Sequence, residues 1–162
     1  MRVGDIVIVS NLGEMKIYRA EPRDLEAEAG LKPNNVKLDL IDAKDYVVSH
    51  WKIQDIVTDE AGQFKGGSQG RGEFTQGSVG QRHELEKRVE ADVIGVIAKD
   101  IEEALGANNP PKWFLALPET IYDRVVQKVS PSWMEKLFVG LRKDLTKENK
   151  KDLVDLFKKK LS

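Results

Sequence analysis

The sequence contains no cysteine, which excludes disulfide bonds, thiolate metal sites and cysteine nucleophiles together. It also lacks any run of about 18 consecutive apolar residues, so no membrane-spanning helix is predicted. Asp5 interrupts the first apolar run, and no signal peptide is recognisable. These absences favour a soluble, cytoplasmic protein, and a length of 162 residues suits a single globular domain over residues 1–162.

An excess of charge of either sign is missing as well, because the formal net charge is -1. A chain this close to neutral is not expected to bind polyanions over its whole surface. The charge is nevertheless uneven along the sequence, and lysines and arginines outnumber acids between residues 142 and 162. That stretch indicates either a basic binding patch or the solvated face of a helix.

Arrangements of catalytic residues are not recognisable either. His50 and His83 lie far apart, neither belongs to an H-x-x-x-H pair, and no serine stands in a G-x-S-x-G turn. A two-metal nuclease would need a carboxylate on a central strand, and the apolar stretch at residues 113–117 has none. We therefore expect no catalytic residue, no metal and no cofactor, and the sequence favours a protein that is not an enzyme.

Hydrophobic patterning predicts that the first part of the chain is rich in strands. β-Branched and alternating runs predict strands at residues 5–10, 15–20 and 51–58, and a turn joins the first two as a hairpin. A short helix is predicted over residues 24–29, and residues 36–41 are predicted to pair weakly.

The later part of the chain alternates helices and strands. Apolar residues at helical spacing predict a long helix over residues 83–105, with Gly106 as its C-cap. The further elements are a buried central strand at 113–117, a helix at 118–129, a strand at 134–141 and a helix at 147–161 with Thr146 as its N-cap.

This succession of elements predicts the fold class. The order β-β-β-α-β-α-β-α, with a glycine-rich loop before the long helix, predicts an α/β (α+β) protein. Its mixed sheet of about five strands has helices on its faces, which is the arrangement of ribonuclease H-like folds.

The segment before the long helix is rich in glycine and glutamine. Residues 62–80 are predicted to form a flexible, exposed loop, which Lys65, Arg71 and Arg82 make locally basic. Such a loop cradles phosphates, folds onto a partner or simply links two elements, and all three roles stay open here. It matches neither a Walker loop nor a dinucleotide-binding fingerprint.

Several stretches of the sequence together resemble one bacterial family. They are V-I-V-S-N and K-I-Y-R in the opening hairpin, I-V-T-D-E-A-G-Q-F at 56–64, R-H-E-L-E at 82–86 and R-K-D-L-T at 142–146. On these residues the chain resembles the bacterial host-attachment protein family over nearly its whole length. That family is similar in turn to the middle domain of archaeal and eukaryotic class-1 peptide-release factors, in which a Gly-Gly-Gln loop stands directly before the long helix.

The resemblance implies a module that presents its glycine-rich loop to RNA or to the ribosome. The motif is altered, because Ser68 separates Gly67 from Gln69 and Val79 precedes Gly80-Gln81. Binding without hydrolysis is therefore expected. The residues expected to contact RNA or another partner are Lys65, Gly66, Gly67, Gln69, Arg71, Gln81, Arg82, Arg142 and Lys143.

Two other functions stay open at this point. The family name implies an attachment-associated factor that acts through protein contacts. Peptidyl-tRNA hydrolysis through Gln69 or Gln81 is the third reading, and both of these sites depart from the motif.

Overall fold

The computed structural model describes residues 1–46 and 71–161, and only the backbone of residues 71–83 and 161. The strand predicted at residues 51–58 therefore lies outside the described residues, as does the part of the predicted loop at residues 62–70. Among the helices of the described part, none is both long enough and apolar enough to cross a membrane.

The chain opens with the predicted β-hairpin. Strand β1 (Ile6–Ser10) pairs antiparallel with strand β2 (Glu14–Pro22), in register from Ile6 opposite Arg19 to Ser10 opposite Met15. Every residue of β1 is buried, whereas β2 mixes buried and half-buried positions. The prediction of a hairpin is thereby confirmed.

A one-turn helix and a long third strand follow. Asp24 caps helix α1 (Leu25–Glu28) by accepting a 2.8 Å hydrogen bond from the Ala27 N–H, so the predicted short helix is confirmed. Strand β3 (Val36–Asp45) pairs with β2 along its full length. The prediction of weak pairing here is wrong, because backbone hydrogen bonds to β2 hold a strand whose side chains are mostly exposed.

The long helix begins earlier and ends later than predicted. Helix α2 (Arg71–Asn108) includes residues 71–80, so the assignment of those residues to a flexible loop is wrong. A glycine costs a helix about 1 kcal/mol relative to alanine, which weakens the helix without preventing it. Gly106 is not the C-cap, because the helix continues to Asn108 and Asn109 then takes the left-handed conformation with φ of 41°.

Two parallel strands lie in the second half of the chain. Strand β4 (Trp113–Ala116) is buried on both faces, as its apolar run predicts. Helix α3 (Glu119–Val126) stops short of residue 129. A separate helical turn, α4 (Pro131–Met134), replaces the start of the predicted last strand, because proline is well suited to the first position of a helix. Strand β5 (Leu137–Leu141) follows it.

The closing helix α5 (Lys150–Leu161) also starts later than predicted. The oxygen of the Asn149 side chain accepts a 2.8 Å hydrogen bond from the Asp152 N–H, so Asn149 and not Thr146 caps this helix. Thr146 is fully buried and donates its hydroxyl hydrogen to Asp144 instead.

The five strands found in residues 1–46 and 71–161 form one open mixed sheet in the order β3-β2-β1-β4-β5. Strand β1 is antiparallel to β2 and parallel to β4, and β5 runs parallel to β4. Helices α2 and α3 cover one face of the sheet. Helix α5 covers the other face, where Phe157 packs edge-on against Phe114 with 5.5 Å between ring centroids. The predicted mixed α/β class with about five strands is confirmed.

Candidate functional site

The sheet has two ends. We call the end with the β1–β2 turn, where β1, β4 and β5 finish, the turn edge, and the end where these three strands begin the start edge. Tyr46 lies at the turn edge and donates to Asp100 of α2 at 2.6 Å. Arg19, opposite the first residue of β1, donates to Asn108 of α2 at 2.5 Å. Helix α2 therefore runs from the turn edge to the start edge, and its earlier residues extend past the turn edge.

The first part of α2 is less buried than the rest of the helix. Its first described contacts with the body of the domain come from Val89, which is partly buried against the core, and from Glu90, whose Oε1 lies 3.4 Å from Arg124 Nη1 of α3. From residue 84 to residue 92, where side chains are described, none is buried, and burial begins at Val93. The helix has 38 residues and is about 57 Å long at 1.5 Å per residue. The part from Val89 to Leu105 that contacts the core spans about 25 Å of that length. We call residues 71–88 the arm; its residues 71–80 also belong to the glycine- and glutamine-rich sequence at 62–80.

Three of the sequence stretches that carry the family resemblance meet at the turn edge. Asn11 of the hairpin donates from Nδ2 to Asp144 Oδ2 at 2.9 Å and to Thr146 Oγ1 at 3.1 Å. Lys16 Nζ donates to the Thr146 carbonyl oxygen at 2.7 Å. We call Asn11, Lys16, Asp144 and Thr146 the turn-edge network. It ties the β1–β2 turn to the segment that follows β5.

The electrostatics of this network favour an ionised Asp144. Partial burial is the largest single influence on this carboxyl group and would raise its pKa. The hydrogen bonds from the Thr146 hydroxyl, the Asn11 amide and the Thr146 N–H act in the opposite direction, and the pKa of Asp144 is lowered overall. Asp144 is therefore a fixed negative charge whose oxygen atoms are already engaged within the protein.

A second pair of charges lies beside the network. Lys147 Nζ is 3.1 Å from Glu14 Oε1, which is a buried atom. The contact is an ion pair whose angles fall outside hydrogen-bond geometry, so Glu14 Oε1 accepts no hydrogen bond. Within the described residues, no three His, Cys, Asp or Glu side chains are grouped closely enough to hold a metal ion. The turn-edge network fixes the β1–β2 turn, and the hydrogen bonds of its side chains are made to other residues of the protein.

Arg142 was expected to contact RNA, and its guanidinium is paired within the protein. It donates to both carboxylate oxygens of Asp123, at 2.9 and 2.8 Å, and lies 4.6 Å from the centre of the Tyr122 ring. The hydrogen bonds from Arg142 lower the pKa of Asp123. An RNA phosphate would have to compete with this carboxylate for Arg142. Lys143, the next residue, is exposed.

The other residues expected to contact RNA fall into two groups. Lys65, Gly66, Gly67 and Gln69 lie outside the described residues. Arg71, Gln81 and Arg82 lie on the helical backbone of the arm. The end of the sheet from which the arm extends also holds Arg142 and Lys143, which directly follow β5.

The sequence did not identify the turn-edge network. Asn11 stands in a predicted turn and Thr146 at a predicted helix start, and both are also residues of the stretches that resemble the host-attachment family. That shared membership was the available signal. It could not reveal the contact, because Asn11 and Asp144 are 133 positions apart in sequence.

Comparison with known proteins supports the family resemblance. No curated protein sequence matches the chain. The sequence model of one family, described as protein required for attachment to host cells, matches residues 6–156. This range includes the five strands of the described residues and the three stretches that meet at the turn edge. The chain therefore belongs to the family of proteins required for attachment to host cells.

Proposed function

We propose that this chain is a non-catalytic, release-factor-like module that binds RNA or the ribosome. The arm and the glycine- and glutamine-rich residues 62–80 provide the contact. The observation that carries the proposal is the arm itself, the part of α2 that comes before its first described core contact at Val89 and shares residues 71–80 with this segment. A protruding helix end can reach into a groove that the body of the domain cannot enter.

The strand order supports a ribonuclease H-like fold for the module. An antiparallel trio, β3-β2-β1, continues into the parallel pair β4 and β5, and the long helix α2 lies between β3 and β4 in sequence. In the release-factor resemblance, a sequence that carries glycines and a glutamine also stands before the long helix. The altered spacing around Gln69 and Gln81 favours binding without ester hydrolysis.

The charges of the segment suit an RNA partner. Between residues 62 and 82, Lys65, Arg71 and Arg82 stand against a single acid, Glu73, although the whole chain carries a net charge of -1. Cations that neutralise RNA phosphates release counterions, so such binding weakens steeply as salt rises. The proposal therefore places the electrostatic contact in the segment and the arm, and not over the whole surface.

Co-sedimentation with bacterial ribosomes at two salt concentrations tests the proposal. The test variant replaces Lys65, Arg71 and Arg82 with glutamine. Its matched control replaces three exposed lysines elsewhere, Lys37, Lys99 and Lys128, and changes the net charge by the same amount.

We expect the wild type and the control variant to bind and to release at higher salt. The test variant should bind more weakly and lose about 2 units of the slope of log affinity against log salt. Absent binding, salt-insensitive binding, or equal losses in the two variants would contradict the proposal.

A second candidate function is attachment through protein contacts, which the description of the family favours. It predicts that the protein lies on the outside of the cell, where protease added to intact cells can cut it. A protein that is cut under these conditions and does not sediment with ribosomes would favour this second function.

A further inference from the structure

The start edge carries an open cavity of about 390 Å³, at the end of the sheet opposite to the arm. Its cationic lining comes from three separate parts of the chain. Arg2 precedes β1, Lys112 precedes β4 and Lys158 lies in the last turn of α5. The volume lies within the range of about 300–1,000 Å³ that is usual for small-molecule sites.

The positive charges at this cavity have no matching set of carboxylates. None of Arg2, Lys112 and Lys158 forms an ion pair with a carboxylate among the described residues. The single acid among the described lining residues is Asp5. Gathering three like charges around a concave surface is unfavourable unless an anion joins them.

Asp5 offsets only part of this positive charge, because it is one carboxyl group beside three cations. Its side chain is 2% exposed, and Oδ2 accepts a 2.8 Å hydrogen bond from the Arg2 N–H. Burial is the largest influence on its pKa and raises it, although Arg2 and Lys112 act in the opposite direction. The Asp5 carboxyl group thus supports the backbone under the cavity, and a net positive charge is left at the opening.

The cavity also includes an exposed aromatic ring. Phe138 of β5 is 46% exposed, while its ring packs edge-on against the buried Phe114 with 5.7 Å between centroids. Lys112 Nζ lies 4.2 Å from the centre of the Phe138 ring, so the ring holds this ammonium group at the cavity. The cavity therefore combines an anion-binding group with an apolar surface.

We propose that the start-edge cavity binds a nucleotide. Lys112, Lys158 and Arg2 contact its phosphate, and Phe138 contacts its nucleoside. A free mononucleotide and the phosphorylated end of an RNA strand present the same chemistry to such a site. This site is separate from the arm, so the proposal of nucleotide binding can be tested independently of ribosome binding.

Calorimetric titration of the full chain tests the proposal with three probes: adenosine monophosphate, adenosine and inorganic phosphate. The test variant is Lys112→Ala/Lys158→Ala, and the control is Lys37→Ala/Lys128→Ala, which removes the same charge from exposed positions elsewhere. Circular dichroism verifies that both variants are folded.

We expect the monophosphate to bind and adenosine to bind at least tenfold more weakly. The test variant should lose about 100-fold in affinity for the monophosphate, about tenfold for each charge-assisted contact, and the control should keep its affinity. Phe138→Leu removes both the ring that contacts the nucleoside and the ring that holds Lys112, so it should weaken binding of the monophosphate by a larger factor than binding of inorganic phosphate. These results together would support the assignment.

A short RNA with and without a 5′-phosphate identifies the source of the ligand. Phosphate-dependent binding of this RNA assigns the site to strand ends, and binding of the monophosphate alone assigns it to free nucleotides. No binding of the monophosphate at millimolar concentration would overturn the proposal. Equal binding of adenosine and its monophosphate, or equal losses in the test and control variants, would also overturn it.

Discussion

Replacement of Asn11 with alanine tests the physical basis of the turn edge. The Asn11 side chain accepts hydrogen bonds from the N–H groups of Gly13 at 2.7 Å and Glu14 at 2.8 Å, and donates to Asp144 and Thr146. A neutral hydrogen bond contributes about 0.5–1.5 kcal/mol and one to a charged group about 1.5–3 kcal/mol. Three neutral bonds and one to a charged group set an upper bound of about 7.5 kcal/mol.

Water can replace part of this interaction, because the turn edge is only partly buried. We therefore expect Asn11→Ala to lower the free energy of unfolding by about 2–4 kcal/mol. Urea unfolding at neutral pH measures the difference. Gln127→Ala is the control, because Gln127 is an exposed amide directly after α3, and its loss should stay within about 0.5 kcal/mol. A loss for Asn11→Ala no larger than that of the control would refute the reasoning.

The same variant has a predictable pH dependence. The pKa of Asp144 is lowered in the folded protein, so its stabilising contribution is present above the ordinary value of 3.8 and is lost as pH falls through the folded pKa. Part of the contribution of Asn11 depends on the charge of Asp144. The difference in stability between wild type and Asn11→Ala should therefore narrow below pH 3.8. A constant difference from pH 7 to pH 3 would contradict the charged state assigned to Asp144.

Three further changes have expected outcomes. Gly140→Ala places a Cβ 1.8 Å from the Tyr122 hydroxyl oxygen. Urea unfolding should therefore show that the free energy of unfolding falls by about 1–3 kcal/mol, and Tyr122→Phe should restore part of it. An unchanged free energy of unfolding would contradict this packing. Burial raises the pKa of Asp5, so the folded state binds a proton more readily than the unfolded state, and stability falls as pH rises above 3.8. The side-chain oxygen of asparagine in Asp5→Asn can still accept the hydrogen bond from the Arg2 N–H. This variant should be more stable than wild type at pH 7 but not at pH 3. A variant that is less stable than wild type at pH 7 would contradict this reasoning. Phe157→Ala should cost about 3–5 kcal/mol in the same assay, because Phe157 is fully buried, and a cost below 1 kcal/mol would contradict its place in the core.

The sequence predicted well those elements whose own residues carry a clear hydrophobic pattern. The β-branched run of β1 and the apolar run of β4 are buried on both faces, and each is recognisable without any partner. Strand β3 has mostly exposed side chains, so its apolar content did not predict its pairing with β2. The glycines of residues 71–80 favoured a loop locally, and helix α2 nevertheless includes them.

The sites were less predictable than the fold, because they combine residues from distant parts of the chain. Asn11 and Thr146 each had a satisfactory local explanation, as a turn residue and as a helix cap. Only the fold brings Asn11 Nδ2 to within 3.1 Å of Thr146 Oγ1. The cations at the start edge come from the N-terminal segment, the link before β4 and the last helix. They therefore form no contiguous basic motif that could be recognised in the sequence.

Photo-crosslinking from the arm tests the proposed function most directly. A photo-reactive amino acid replaces Gln81 on the arm or, as the control, Gln127 at the end of α3, and each protein is irradiated with bacterial ribosomes. The proposed function predicts crosslinks to the ribosome from position 81, reduced by added salt, and none from position 127. Equal crosslinking from both positions, or none from position 81, would contradict it.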